Sequence, residues 1–262
     1  MQDLTCSKAW LRKYPVQRSR SVCAEFQARR CSLGMKRPSL ATQKLMLGKI
    51  LRRFPVRYDV GSSKAFETLI KTILSQNTSD VNSIRAMKKL ESRFEITPEV
   101  LSQAPVGDLI ECIRSAGLYR VKAPRIKQVS SIILNQYGGD LDSVLKRRPQ
   151  EARSIMTELP GVGYKTADIV LAFVAGHPTV PVDTHVTRVS KRLGIVREKA
   201  QYEEIRLALE RLVPANRRVK MHLCLIRFGR EICKAPRPLC PRCPVNRTCP
   251  SSTTRKRRTK AV

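Results

Sequence analysis

Leu159-Pro160-Gly161-Val162-Gly163-Tyr164-Lys165 sets two glycines two positions apart between segments whose apolar residues repeat with a helical period. Glycine reaches backbone conformations that a Cβ obstructs, so the amides around Gly161 and Gly163 can turn outward while Val162 turns inward. A concave run of N–H groups of that kind holds one phosphate. An ordinary turn between two helices would use the same residue types, because glycine and proline punctuate loops of every sort. Lys165 separates these alternatives. It falls in the first turn of the second helix, where the positive end of the macrodipole disfavours another positive charge, and a purely structural lysine belongs at the opposite end. A desolvated amine in that place is a neutral nucleophile, which opens Schiff-base chemistry.

Further along, Pro181-Val182-Asp183-Thr184-His185 puts an acid just before a helix that runs to Arg192. Aspartate is among the best N-caps, and taken alone Asp183 reads as one. The two roles are compatible: a carboxylate near a lysine nucleophile can take its proton and oppose positive charge developing on a sugar ring. His185 can contact a phosphate or simply pack and hydrogen-bond at the helix start.

The helical period continues over most of the chain from residue 41 onward. Phe66, Leu69, Ile70, Ile73 and Leu74 fall at i, i+3, i+4, i+7 and i+8, one apolar stripe of an amphipathic helix. Ile84, Met87 and Leu90 continue into a second. Thr97-Pro98-Glu99 reads as an N-cap, a proline at the first helical position and an acid in the first turn. Leu109, Ile110 and Ile113 lead to Gly117, and Ile126, Val129, Ile133 and Tyr137 lead to Gly138-Gly139, glycine being a common helix stop. Ala167, Val170, Leu171 and Val174 follow the hairpin to Gly176, and further helices are expected near 184–193, 201–213 and 217–232. No alternating strand pattern stands against these, so the fold class is all-α.

Charge sets the partner. The chain has 262 residues with 51 Lys and Arg against 21 Asp and Glu, a formal +30, and such an excess makes a polyanion, nucleic acid first, the default ligand. Aliphatic content is too high for a disordered chain. No run reaches the roughly 18 apolar residues of a membrane span, and no secretory leader pattern follows the start. A cytoplasmic protein, nucleoid-associated in a prokaryote, is expected. Residues 1–40 form a basic, acid-poor, loosely ordered arm, for which organelle targeting is the lesser alternative, and 251–262 form a basic tail.

Four of the nine cysteines crowd at Cys233, Cys240, Cys243 and Cys249, which in a chain that is not exported argues for metal over disulfides. Structural zinc usually takes two close cysteine pairs, and here only one C-x2-C exists. Zinc and an iron–sulfur cluster both suit thiolate ligands. Between the first two ligands, Lys234 and Arg237 sit in a proline-stiffened loop whose charges can lie along a phosphate backbone. Cys112 and Cys224 fall in apolar helical patterns and read as core.

Taken together, the hairpin with Lys165 and the later Val182-Asp183-Thr184-His185 resemble the helix-hairpin-helix DNA glycosylases, specifically the endonuclease III family. The likeness runs over residues 58–249. Leu74-Ser75-Gln76-Asn77-Thr78-Ser79-Asp80 resembles that family's duplex-invading loop, and Gly117-Leu118-Tyr119 with Lys122-Ala123 its second DNA-facing segment. The resemblance implies a 4Fe-4S cluster on the four cysteines, with structural zinc as the alternative. It implies a six-helix barrel domain over 58–177 and a cluster domain made of 41–57 with 178–250, the active-site groove lying between them. It also implies a monomeric base-excision-repair glycosylase that acts on double-stranded DNA with damaged bases or abasic sites. Oxidised pyrimidines are the implied lesions, and β-elimination through a lysine Schiff base the implied strand-cutting chemistry. Lys165 and Asp183 are then catalytic, and Gln76, Asn77, Gly161, Val162, Gly163, Tyr119, Lys122, His185, Lys234 and Arg237 meet DNA. Where Asn77 stands the family's commoner residue is glutamine, which leaves open whether Gln76 or Asn77 enters the duplex. The competing functions are a monofunctional uracil or mismatch glycosylase and a DNA-binding module without chemistry.

Overall fold

The structure, a computed structural model, describes residues 37–58, 61 and 64–254. The basic arm up to residue 36 and the tail beyond residue 254 lie outside the described residues. Among those described, the secondary structure is helical and contains no strand, as the periodicity requires.

Two apolar cores organise the helices. The first is centred on α2 (Ala65–Ser75), whose stripe Leu69, Ile70, Ile73 and Leu74 is shut off from solvent. Each such side chain contributes about 1.5–3 kcal/mol by leaving water. Around it pack α3 (Asp80–Glu91), α5 (Val106–Ile113), α6 (Tyr119–Tyr137), α7 (Leu141–Leu145) and α9 (Tyr164–Phe173), with α4 (Pro98–Gln103) lying along α6 and α8 (Pro149–Glu158) along α9. Thr97 caps α4 as expected, its hydroxyl accepting from the Val100 amide at 3.3 Å. Gly138 ends α6 in the left-handed region at φ 59°, where a Cβ would be strained.

The second core joins α1 (Leu40–Arg53) to α10 (Thr184–Arg192), α11 (Tyr202–Leu212) and α12 (Arg218–Glu231). Met46, Ile50, Val186, Val189, Leu209 and Leu225 are closed to solvent there. Cys224 is buried in this core and Cys112 in the first, as their apolar neighbours suggested.

One expectation needs correction. Ile84 is 49% exposed, because α3 begins at Asp80 and turns Ser83, Ala86, Met87 and Leu90 inward instead. The helix α8 was implied by the hairpin that follows it, but its bounds were not. Its inward face consists of Ala152 and Met156, too few apolar positions for a period to stand out.

Candidate functional site

The hairpin links α8 to α9. Gly161 adopts φ 77°, a left-handed conformation that favours glycine, and a Cβ added there would come within 2.8 Å of the Arg125 side chain, which would have to move. Val162 is 3% exposed and packs into the first core, while Gly161 and Gly163 face solvent. Gly163 is the N-cap of α9. Lys165, two residues later, is exposed. The protein alone therefore does not provide the desolvated surroundings anticipated for its amine.

Asp183 caps α10 at the head of the second core. Its Oδ1 accepts from the Val186 amide at 2.7 Å, so the capping role is real, and the half-buried carboxylate keeps a second oxygen for other work. The segments that carry Lys165 and Asp183 both meet the buried His222 of α12. Sequence reasoning passed over His222, whose only signal was a histidine inside an apolar helix. Its Nδ1 lies 2.8 Å from the Pro181 carbonyl oxygen and so donates the proton, leaving Nε2 an acceptor. The ring also meets Phe173 edge-on at 5.9 Å.

Burial holds His222 below the ordinary histidine range and the charge of Lys165 pushes the same way, whereas Asp183 and the Pro181 carbonyl oppose. The unfolded chain then protonates this histidine first as pH falls. Its contribution to stability is complete above about pH 6.5 and declines below it, by at most about 1.4 kcal/mol per unit. Thermal melts of wild type between neutral pH and pH 5 should show a steeper loss than those of His222→Gln; parallel curves would contradict this.

The loops expected to face a duplex are tied to the hairpin and to each other. Gln76 donates its amide to the Gly161 carbonyl at 3.0 Å and to the Thr166 hydroxyl at 3.1 Å. Asn77 beside it is exposed and sits at φ 53°, a left-handed conformation that asparagine tolerates. Lys122 does not face outward, contrary to its expected DNA contact. It is 2% exposed, and its ammonium donates to the carbonyls of Leu74, Gln76 and Ala116 at 2.7, 2.6 and 2.9 Å. The four-carbon stem carries the charge back between the two loops, where the ends of α2 and of the 3-10 turn Arg114–Ala116 present carbonyls. Tyr119 is half-buried against the first core, with the Arg120 guanidinium over its ring. The exposed residue at that loop tip is Leu118, which was not singled out: it is 56% exposed at φ 48°, an apolar side chain held toward solvent.

A second polar group, also unforeseen, lies behind the hairpin. Asp168, 1% exposed, accepts from Arg153 Nε at 2.7 Å and Nη2 at 3.0 Å. It also accepts from the Tyr202 hydroxyl at 2.7 Å. Arg153 reaches Glu203 as well and stacks 4.6 Å from the centre of the Tyr164 ring.

All four expected cysteine ligands line one cavity. No three His, Cys, Asp or Glu side chains among the described residues converge closely enough for one metal ion. Four thiols around a common void are the donor set of a thiolate-ligated metal centre. Burial pushes the Cys243 thiol up to about 11 and Cys249 up to about 12, with neighbouring cysteines adding to the rise, so thiolate there requires a bound cation. Arg192, in the last turn of α10, donates to the carbonyls of Lys234 and Ala235 at 2.7 Å and lies 3.5 Å from Cys233 Sγ. Arg188 reaches the Cys233 carbonyl and His185 Nδ1, each at 3.0 Å. His185 is thus engaged within the protein, while Lys234 and Arg237 remain exposed.

No helix among the described residues is long and apolar enough to cross a membrane. Residues 70–215 match the model for the HhH-GPD superfamily of base excision DNA repair proteins. The chain is 39% identical to endonuclease III of Thermotoga maritima over 203 residues, 77% of this chain and 89% of that protein. Identity to endonuclease III of Bacillus subtilis is also 39%, over 78% of this chain and 89% of the relative. Among solved structures, a trapped endonuclease III–DNA covalent intermediate with an estranged adenine matches with a TM-score of 0.73 at 32% identity, covering 83% of this chain and 99% of the other.

Proposed function

The chain belongs to the endonuclease III family of HhH-GPD base excision DNA repair proteins, and from that premise we propose that Lys165 and Asp183 carry out its glycosylase and abasic-site lyase reactions on double-stranded DNA. The observation that supports this pair most is buried His222, which hydrogen-bonds the Pro181 carbonyl two residues before Asp183 and meets Phe173, at the end of the helix that carries Lys165, since the two residues lie 18 positions apart on segments belonging to different cores. A base inside a duplex hides its glycosidic carbon, so the nucleotide is extruded at a cost of a few kcal/mol. Bound DNA then supplies the desolvation that the exposed amine lacks.

Neutral Lys165 attacks C1′, the C1′–N bond breaks, and the electron pair leaves with the base, which takes up a proton. Asp183 manages the proton from the attacking amine and opposes charge on the sugar. Ring opening gives an imine. Loss of a C2′ proton expels the 3′ phosphate, leaving a 5′-phosphate on one strand end and a conjugated imine on the other, which water hydrolyses to an unsaturated aldehyde and the free Lys165 amine. No divalent ion enters these steps. Oxidised pyrimidines such as thymine glycol are the proposed lesions, and the proposed setting is the cytoplasm.

Around that chemistry, the hairpin 161–163 holds one phosphate and Lys234 and Arg237 graze the backbone. Asn77 fills the gap left by the extruded nucleotide and Leu118 wedges beside it, while Gln76 serves as a strut to the hairpin. Asn77→Gly, which also accepts the left-handed backbone, should slow lesion excision about tenfold with little change in melting temperature, whereas Gln76→Ala should lower stability. Differential scanning fluorimetry beside single-turnover excision checks this, and the reverse assignment would appear as the opposite pattern.

We assign Cys233, Cys240, Cys243 and Cys249 to a 4Fe-4S cluster that pins the last segment of the chain and its basic loop. Freshly purified protein should absorb in the visible blue and lose that band on Cys240→Ser; a colourless, zinc-containing preparation would overturn the assignment.

The deciding experiment compares duplexes carrying thymine glycol, uracil, a mismatch or an abasic site, scoring base release and strand scission separately. Release with scission supports the bifunctional reading. Release alone would reveal a monofunctional glycosylase, and salt-sensitive binding without product a DNA-binding module.

A further inference from the structure

We propose that Tyr202 is a positioning residue for the Lys165–Asp183 pair, its single hydroxyl holding the two segments that carry them in register. The inference rests on those two residues being the catalytic pair. The geometry is specific. The phenol oxygen accepts from the Val182 amide at 3.3 Å and donates to Asp168 Oδ2 at 2.7 Å. Val182 immediately precedes Asp183, and Asp168 lies three residues beyond Lys165 on α9, almost one turn. One oxygen therefore joins the backbone leading to the carboxylate with the helix presenting the amine.

The anchor on the α9 side does not yield easily. Asp168 is 1% exposed, its Oδ1 accepts from Arg153 Nε, and its Oδ2 is shared between Arg153 Nη2 and Tyr202. Arg153 is held in turn by Glu203, the neighbour of Tyr202 on α11. The link is also sheltered at both ends, since Val182 is 4% exposed and Asp168 1%, while Tyr202 itself is half-buried. By contrast, the Arg230–Asp80 ion pair, which joins α12 to α3, is more than half exposed on both sides and therefore weak. Burial, with the adjacent Asp168 charge, holds the Tyr202 phenol well above the ordinary tyrosine range, so it remains a protonated donor wherever the enzyme works.

The ring has separate support. It lies 6.1 Å from the Tyr164 ring, which Arg153 covers. Tyr202→Phe thus removes the bridge and keeps the packing. The Val182 amide loses its acceptor, the segment before Asp183 relaxes, and the carboxylate shifts relative to the amine. A displacement on the order of 1 Å in a catalytic group can cost about 10²-fold in rate.

The test uses full-length protein with its metal centre, wild type and Tyr202→Phe, in single turnover with enzyme in excess. Base release is followed on thymine glycol duplex and borohydride-trapped adduct on abasic duplex, across a range of pH. The expected result is a fall of about 10- to 100-fold in both maximal rates and a displaced pH–rate profile. The half-saturating enzyme concentration should stay unchanged, and the variant should stay folded at the assay temperature, its melting temperature lowered by only a few degrees, about what one lost acceptor for the Val182 amide costs. Rates within about twofold of wild type at every pH, or a loss confined to half-saturation, would overturn the proposal. If wild type releases base without forming adduct, the lyase reading falls and base release alone decides on Tyr202. A wild type inert on both duplexes overturns the catalytic pair and this proposal together.

Discussion

Lys165→Ala abolishes strand scission at an abasic site, by roughly 10⁴-fold or more, while duplex binding changes little. The size follows from the role assigned to the residue, since removing a covalent nucleophile takes away the reaction path and leaves only binding and field effects. Binding persists because the phosphate-facing elements lie elsewhere. The hairpin amides belong to Gly161 and Gly163, and the basic loop carries Lys234 and Arg237 on the other core. Lys165 is exposed in the hairpin helix, so the substitution leaves no cavity, and the variant should melt with wild type. Gel-resolved scission of an abasic duplex, paired with anisotropy titration, measures both quantities. A variant that still cuts at more than about a hundredth of the wild-type rate would remove Lys165 from the chemistry.

Lys122→Met should cost about 2–4 kcal/mol of stability, seen as a melting temperature roughly 5–15 °C lower for a domain of this size. Two effects compete. Methionine spares the chain the burial of a charge, whose expense is visible in the lowering of the Lys122 pKa by desolvation. Against that, the carbonyls of Leu74, Gln76 and Ala116 lose donors at 2.6 to 2.9 Å, and Leu74 and Ala116 are closed to water. Three acceptors left without donors outweigh one relieved ammonium. Because the same ammonium joins the loop bearing Gln76 and Asn77 to the one entering Leu118, lesion excision should suffer more than cleavage of a preformed abasic site, where extrusion is easier. A melting temperature equal to or above that of wild type would show that desolvation dominates and that the loops keep their places unaided.

Much of this molecule was legible in its sequence, for local reasons. The stripe from Phe66 to Leu74 specifies α2 as the centre of a core because burial follows the helical period. The glycine pair and the residue two places beyond it specify the hairpin and its lysine because backbone conformation and chain position need no distant partner. Asp183 was legible as a cap for the same reason. The failures concern where long side chains reach. Lys122 was expected to meet DNA because its segment resembles a DNA-facing segment of the family, yet its stem reaches back to carbonyls 46 and 48 residues earlier. Gln76 and Asn77 are adjacent and chemically alike; only the hairpin carbonyl and the Thr166 hydroxyl, 85 and 90 residues away, distinguish them. Asp168, Tyr202 and His222 gave no periodic signal, because a polar residue satisfied across two helices looks in one dimension like an interruption of an apolar pattern.

The most direct test of the central claim is to locate the covalent bond. Wild-type protein is incubated with abasic duplex and borohydride, the adduct is digested with protease and nuclease, and the modified peptide is sequenced by mass spectrometry. The account predicts a reduced sugar on the ε-amine of Lys165, in the peptide containing Leu159-Pro160-Gly161-Val162-Gly163-Tyr164. Attachment to the N-terminal amine or to another lysine, or scission without any trapped adduct, would contradict it.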